Sequence, residues 1–233
     1  MLSSNDSQFW THLLKLADKL PATLFMMIVA LAGGLLLGLL LAIVRIRRYP
    51  VLSALATLYL SFMRCTPTLV QLFLVFYGLP QLVLLFGMDI NGWSNMSFAI
   101  ITFALHAAAV LSEVIRSAYL AVGRSQQEAA YSVGMSAFQT LRRIVLPQAF
   151  GIALPNLANN AISLLKETSL AFSIGVIDVM GQAELIVGNN YGIGIVSIYI
   201  TISVMYWIVS MMIGRAASLL ESAYKKGHVG LAK

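Results

Sequence analysis

Long apolar runs dominate this chain and leave it few ways to fold. The first charge-free run is Leu20 to Val44. The next, Tyr49 to Met88, is interrupted only by Arg64. A third covers Ile90 to Ser112. A fourth covers Ile144 to Leu165 and, past Lys166 and Glu167, continues to Ile177. The last is Leu185 to Gly214. A bilayer core about 30 Å thick needs about 20 apolar helical residues to cross it. Of the 233 residues, 59% are hydrophobic and only 10% charged, against about 25% charged in soluble domains. The reading is an all-α membrane protein whose length suits one membrane domain with no separate catalytic domain.

Charge sets the expected topology. The formal net charge is +6, and in a membrane protein such a surplus speaks first of orientation, not of nucleic acid. With five spans and the N-terminus outside, one side receives Arg45, Arg47, Arg48, Arg116, Arg124, Arg142, Arg143, Arg215, Lys225, Lys226 and Lys233. The opposite loops receive Asp89, Asp178 and Glu184. Splitting Tyr49 to Met88 into two spans would place Arg142 and Arg143 outside, so it is read as one span. Lys15 and Lys19 argue weakly for the reverse orientation. The expected organisation is an extracytoplasmic tail over residues 1–19, a membrane domain over 20–221 and a cytoplasmic tail over 222–233. The mixed charges of Asp6, Lys15, Asp18 and Lys19 do not suit a cleavable signal. One cysteine, Cys65, excludes an internal disulfide and a thiolate metal cluster. Gly33, Gly34 and Gly38 suit close helix packing, within the chain or against a second subunit.

The segment between the third and fourth runs is not membrane-like. It contains Glu128-Ala129-Ala130, then Gly134, then Ile144-x-Leu146-Pro147. Ser125 is placed to cap a helix, with Glu128 three residues on as in a capping box. Ala129 and Ala130 favour helix and offer a flat surface. Gly134 permits a sharp turn, and a second short helix is expected to end before Pro147. Two short helices at the cytoplasmic face would make a knob suited to docking in a groove of another protein. This pattern resembles the EAA loop of bacterial ABC importer permeases. The likeness extends over about Thr23 to Glu221. It includes Tyr59 to Pro80 with Arg64-Cys65-Thr66-Pro67, Ser112 to Tyr119, and Leu146 to Val176 with Lys166-Glu167-Thr168-Ser169-Leu170, which resemble the polar amino acid permeases of the histidine, glutamine and arginine type.

The resemblance implies a type I importer permease fold. Its partners would be two ATP-binding cassette subunits, a second permease subunit of the same or a homologous chain, and an extracytoplasmic solute-binding protein. The loop of Glu128, Ala129, Ala130, Gly134, Ile144, Leu146 and Pro147 would be the coupling helix region that meets the ATPase. ATP and Mg would bind there, with no cofactor on this chain. The location would be a bacterial inner membrane. The run from Ser112 to Gln182 is most similar to importers of cystine and other sulfur-containing amino acids, with the glutamine, histidine and arginine types left open. Cys65, Ser125, Val110 and His106 depart from the usual pattern, and the last two put generic specificity in question.

Ionisable groups inside a span are expensive and are functional candidates. Lys166, Thr168 and Ser169 could donate to an amino acid carboxylate, and Glu167 could receive its ammonium; Asn159 lies on the same stretch. The bland reading is that Lys166 and Glu167 pair structurally. Successive helical residues point about 100° apart, so these two cannot share one narrow face. Pro155 is expected to loosen this helix. Gln71 is a candidate for the translocation path. Arg64 and Glu113 are read as gating or structural charges, pairing with each other or reaching to water. There is no G-x-x-x-x-G-K-[ST] loop and no H-E-x-x-H motif, so neither ATPase nor zinc chemistry is expected here. An ion-gradient-driven transporter is the rival reading; it would not need the docking knob.

Overall fold

A computed structural model describes residues Leu2–Val229, which among themselves form helices and no strands. The order is α1 Leu2–Ala17, α2 Leu20–Arg47, α3 Pro50–Cys65, α4 Thr68–Phe73, α5 Leu79–Leu84, α6 Asn95–Ala121, α7 Arg124–Ser132, α8 Ala137–Thr140, α9 Leu146–Glu167, α10 Val179–Asn189 and α11 Ile195–Val229. Among the described residues, three stretches are long and apolar enough to cross a membrane by themselves: Phe9–Arg47, Asn95–Ala121 and Ile195–Tyr224. Two bent pairs raise the number to five if each is one span. These are Pro50–Cys65 with Thr68–Leu84, bent by 113°, and Ala137–Ile174 with Val179–Asn189, bent by 47°.

The centre of the bundle is the seam between α2 and α6. They run parallel, because Gly34 lies against Ala107 and Gly38 against Ala108 and Ser112. A Cβ on Gly34 would stand 2.6 Å from the Ala107 Cβ, and one on Gly38 would stand 3.0 Å from the Ala108 carbonyl oxygen. The glycines therefore serve packing inside this chain. Around the seam Met26, Ala30, Leu72, Phe103, Leu111 and Leu165 are buried. α9 runs antiparallel to α6, and α11 antiparallel to α9, with Gly214 beside Ile162 and Tyr224 beside Gly151.

Several expected boundaries shift. The N-terminal tail is helical, since α1 precedes α2 with only Asp18 and Lys19 between them. α11 carries through to Val229 instead of releasing a tail at residue 222, while Lys233 lies outside the described residues. α6 starts at Asn95, not Ile90, because the Ser94 side chain accepts from the Ser97 amide and caps the helix there. The last apolar run does not begin at Leu185: α10 occupies Val179–Asn189, and α11 starts only after a turn with Gly192 and Gly194 at positive φ. Asp178, expected in an outer loop, is fully buried. It caps α10 by accepting from the Gly181 amide at 2.9 Å, and Thr23 of α2 donates to it at 3.4 Å.

Prolines explain the irregular turns. Pro80 and Pro147 lack an amide, and a helical proline also crowds the carbonyl four residues back. Those carbonyls belong to Phe76 and Arg143, and each sits in a wide π-turn, Leu74–Gly78 and Leu141–Val145. Widening the turn lets the chain continue past the proline. The second short helix therefore does not end before Pro147 but runs into α9. Pro155, by contrast, leaves α9 in regular helix.

Gly34→Val should lower the thermal midpoint of the detergent-solubilised protein, because overfilling a packed seam costs about 1–3 kcal/mol. Gly188→Ala, where an added Cβ meets nothing within 4 Å, should leave it unchanged or raise it.

Candidate functional site

The knob forms at the basic end of the bundle. α6 ends at Ala121, and Gly123, at φ +76°, turns the chain into α7. Gly123 is the N-cap residue and no side chain caps α7, so the expected Ser125–Glu128 capping box is absent. The reason is register: Ser125 lies inside the first turn instead of before it. The box occurs one helix later, where Ser136 accepts from the Gln139 amide and the Gln139 side chain accepts from the Ser136 amide. Gly134, at φ +82°, makes the turn between α7 and α8. Glu128 and Ala129 are exposed, Ala130 is buried against the bundle, and Ile144 and Pro147 are half-buried. Large apolar side chains stand out from the knob: Val133 is 77% exposed and Phe138 69%, with Tyr131 and Leu146 about half exposed. Surface apolar clusters of this kind mark partner contacts.

The root of the knob is braced. The Tyr224 hydroxyl donates to the Pro147 carbonyl at 2.7 Å, and its ring lies edge-on to Phe150 at 5.3 Å. Close by, Glu113 joins α2 to α6: it accepts from Arg45 at 2.6 Å and from Arg116 at 2.6 Å. Arg64 does not pair with Glu113. It is exposed on the last turn of α3, just before the break at Thr66 and Pro67, whereas Arg45 approaches Glu113 directly because α2 and α6 run parallel.

Within the bundle the candidate pocket residues separate. Lys166 and Ser169 border an open cavity of about 260 Å³ with Met180, Tyr199, Ser203 and Tyr206. Asn156, Asn159, Ser163 and Lys166 follow at helical spacing along the exposed face of α9. Glu167 turns to the other side, toward His106 and a small cavity of about 30 Å³. Thr168 faces the interior, with its hydroxyl donating to the Leu165 carbonyl. It is not a donor to the larger cavity. Past Glu167 the chain tightens into a 3₁₀ stretch, Thr168–Ile174, closed by Gly175 at φ +82°.

Gln71 does not line an open path. It is 2% exposed, and its amide nitrogen lies 2.8 Å from both the Met63 and the Thr66 carbonyls. Its side chain staples the break between α3 and α4, and its carbonyl oxygen meets His106 Nδ1 at 3.1 Å. Tyr199, Met180, Ser203 and Tyr206 were missed because each looks like an ordinary residue of an apolar helix. The one available signal was Glu184, whose carboxylate inside an apolar stretch accepts from the Tyr199 hydroxyl at 2.5 Å.

A family profile described as the binding-protein-dependent transport system inner membrane component matches residues 34–226. The chain belongs to this family. The permease is 44% identical to the L-cystine transport system permease protein TcyL of Bacillus subtilis (strain 168), over 89% of this chain and 86% of that protein. It is 38% identical to the probable amino-acid ABC transporter permease protein PatM of Vibrio harveyi, over 96% of this chain and 98% of that one. The crystal structure of an amino acid ABC transporter with histidines superposes on the permease with a TM-score of 0.80 and 30% identity, covering 95% of this chain and 97% of that one. An inward-facing MetNI methionine ABC transporter shares the fold at a TM-score of 0.69 and 20% identity.

Tyr224→Phe, which deletes only the hydroxyl holding the Pro147 carbonyl, should cost about 1 kcal/mol locally. Hydrogen exchange of the Leu141–Val145 amides should then quicken roughly fivefold, with little change elsewhere in α9.

Proposed function

We propose that this chain forms the translocation path of an ATP-binding-cassette importer for polar amino acids, with cystine or a related sulfur-containing amino acid as the substrate. The observation that carries the reading is the exposed apolar knob, which is rigidly capped at Ser136, turned at Gly134 and braced at Pro147 by Tyr224. A membrane subunit that carried out transport alone would have no use for it. The family membership supplies the binding-protein dependence, and TcyL, named for L-cystine, favours that substrate.

In this reading each bent helix pair is one span, which gives five spans with the N-terminus outside and the C-terminus inside. The placement of charge supports it: Arg45, Arg116, Arg124, Arg142 and Arg143 gather at the knob end, as the cytoplasmic excess of Lys and Arg requires. The membrane is a bacterial inner membrane. The chain works with a second permease subunit, two ATPase subunits that hold ATP and Mg, and an external solute-binding protein. ATP-driven closure of the ATPase pair moves the knobs, and the bundle rocks to expose its cavity to the other side.

Lys166 is the donor for the substrate carboxylate, Ser169 borders the same cavity with its hydroxyl held by the Lys166 carbonyl, and Asn159 lies on the approach along the same face of α9. Glu167 receives the ammonium. Met180 and Tyr199 provide the polarisable and hydroxyl walls that suit a sulfur-containing substrate. Glu113 ties the inner ends of α2 and α6 through Arg45 and Arg116, and Arg64 serves as a gating charge beside the break after α3.

Two measurements test this. Gly134→Val forces a β-branched residue into the left-handed region and should abolish association with the ATPase subunits and ATP-dependent uptake, while the permease stays folded by circular dichroism. Lys166→Ala should weaken L-cystine binding to the purified permease–ATPase complex by about tenfold or more, the loss of a charge-assisted bond. Unchanged binding removes Lys166 from the pocket. Normal uptake with Gly134→Val removes the coupling role of the knob.

A further inference from the structure

The Gln71 staple fixes the protonation pattern of its neighbour. Backbone carbonyls only accept hydrogen bonds, so the Gln71 atom that lies 2.8 Å from both the Met63 and Thr66 oxygens must be the amide nitrogen. Its oxygen is therefore the atom facing His106 Nδ1 at 3.1 Å. An amide oxygen only accepts, so Nδ1 carries the proton. In a neutral imidazole Nε2 is then an acceptor.

That acceptor faces another. Nε2 lies 3.8 Å from Glu167 Oε1, beyond hydrogen-bond length. Glu167 Oε2 is buried without a hydrogen-bond partner. The Asn160 amide, also at this cavity, gives one of its two N–H donors to the Asn156 carbonyl at 2.7 Å. The remaining wall is Leu31, Ala107, Val110 and Leu164, all apolar, and the Ser163 hydroxyl. The cavity volume of about 30 Å³ exceeds the roughly 10–15 Å³ that a cavity needs to hold one water, and so suits a small head group.

We propose that this cavity receives the primary ammonium group of the substrate, with His106 Nε2 and the Glu167 carboxylate as joint acceptors and Gln71 as the positioning residue that sets the imidazole tautomer. This deepens the reading of the chain as an amino acid importer and rests on it. A primary ammonium brings three N–H donors and one positive charge. It answers the two acceptors and balances the carboxylate, whereas a hydroxyl or amide in the same place would leave that charge uncompensated. Val110 and His106 lie one turn apart on α6 and both border the cavity. The pair therefore shapes which head groups fit.

The test uses the complete permease–ATPase complex labelled with ¹⁵N-histidine, the His106 signal being assigned by its loss in His106→Gln. The expected spectrum shows a neutral ring protonated at Nδ1. Methylammonium should move the Nε2 resonance, and tetramethylammonium, equally charged but without N–H donors, should not. Binding gives the second arm, measured without the solute-binding protein. His106→Ala should weaken L-cystine binding by about tenfold but leave binding of 3,3′-dithiodipropionic acid, which lacks both amino groups, unchanged. Gln71→Leu should shift the ring toward the Nε2-protonated tautomer and reproduce part of that loss. A ring protonated at Nε2 or at both nitrogens, equal responses to the two ammonium ions, or equal weakening of both acids overturns the proposal. If the wild-type complex binds no L-cystine, the substrate reading fails, while the tautomer and methylammonium measurements still decide the role of His106.

Discussion

A helix that breaks inside hydrocarbon uncovers backbone carbonyls that no lipid can satisfy, and much of this structure answers that demand. Where α3 breaks from α4 by 113°, the freed carbonyls of Met63 and Thr66 both accept hydrogen bonds from the Gln71 amide. Where Pro80 and Pro147 remove an amide, wide turns redistribute the bonding. Where α9 gives way past Glu167, the hydroxyls of Thr168, Ser169 and Ser173 each donate to the carbonyl three residues earlier. The polar residues of the bundle are thus bound first to the backbone, and what remains of their bonding capacity is what the interior can offer a solute.

The same economy separates the two charges of α9. Lys166 opens onto the larger cavity beside α10 and α11, and Glu167 onto the smaller one beside α2 and α6. They keep separate surroundings on different faces of the helix.

How much of this could be read from the sequence depended on range. Apolar run length revealed the membrane class, and the spacing of Glu128, Ala129, Ala130, Gly134 and Pro147 revealed the knob, because both are local patterns. The Gly33, Gly34 and Gly38 cluster announced close packing, though only the structure shows Ala107 and Ala108 opposite it. Helix ends were placed less well. Ser94, Ser136 and Asp178 proved to be the caps, while Ser125 sits two residues past the N-cap Gly123. Links between distant segments were illegible: Gln71 to His106, Arg45 to Glu113 and Tyr224 to Pro147 are 35, 68 and 77 residues apart. No periodicity encodes such pairs, and Arg64 looked as good a partner for Glu113 as Arg45 did.

The last helix is longer than a membrane requires. Its 35 residues extend about 52 Å, against about 30 Å of hydrocarbon, so about four turns remain to be housed beyond the core. Part of that excess carries Tyr224 to the Pro147 carbonyl. The pliant π-turn between knob and α9 is therefore buttressed from the side by a second rod. A thrust on α7 is divided between two antiparallel helices at the moment it arrives, and it spreads into the bundle as a shear instead of being spent in flexing one joint.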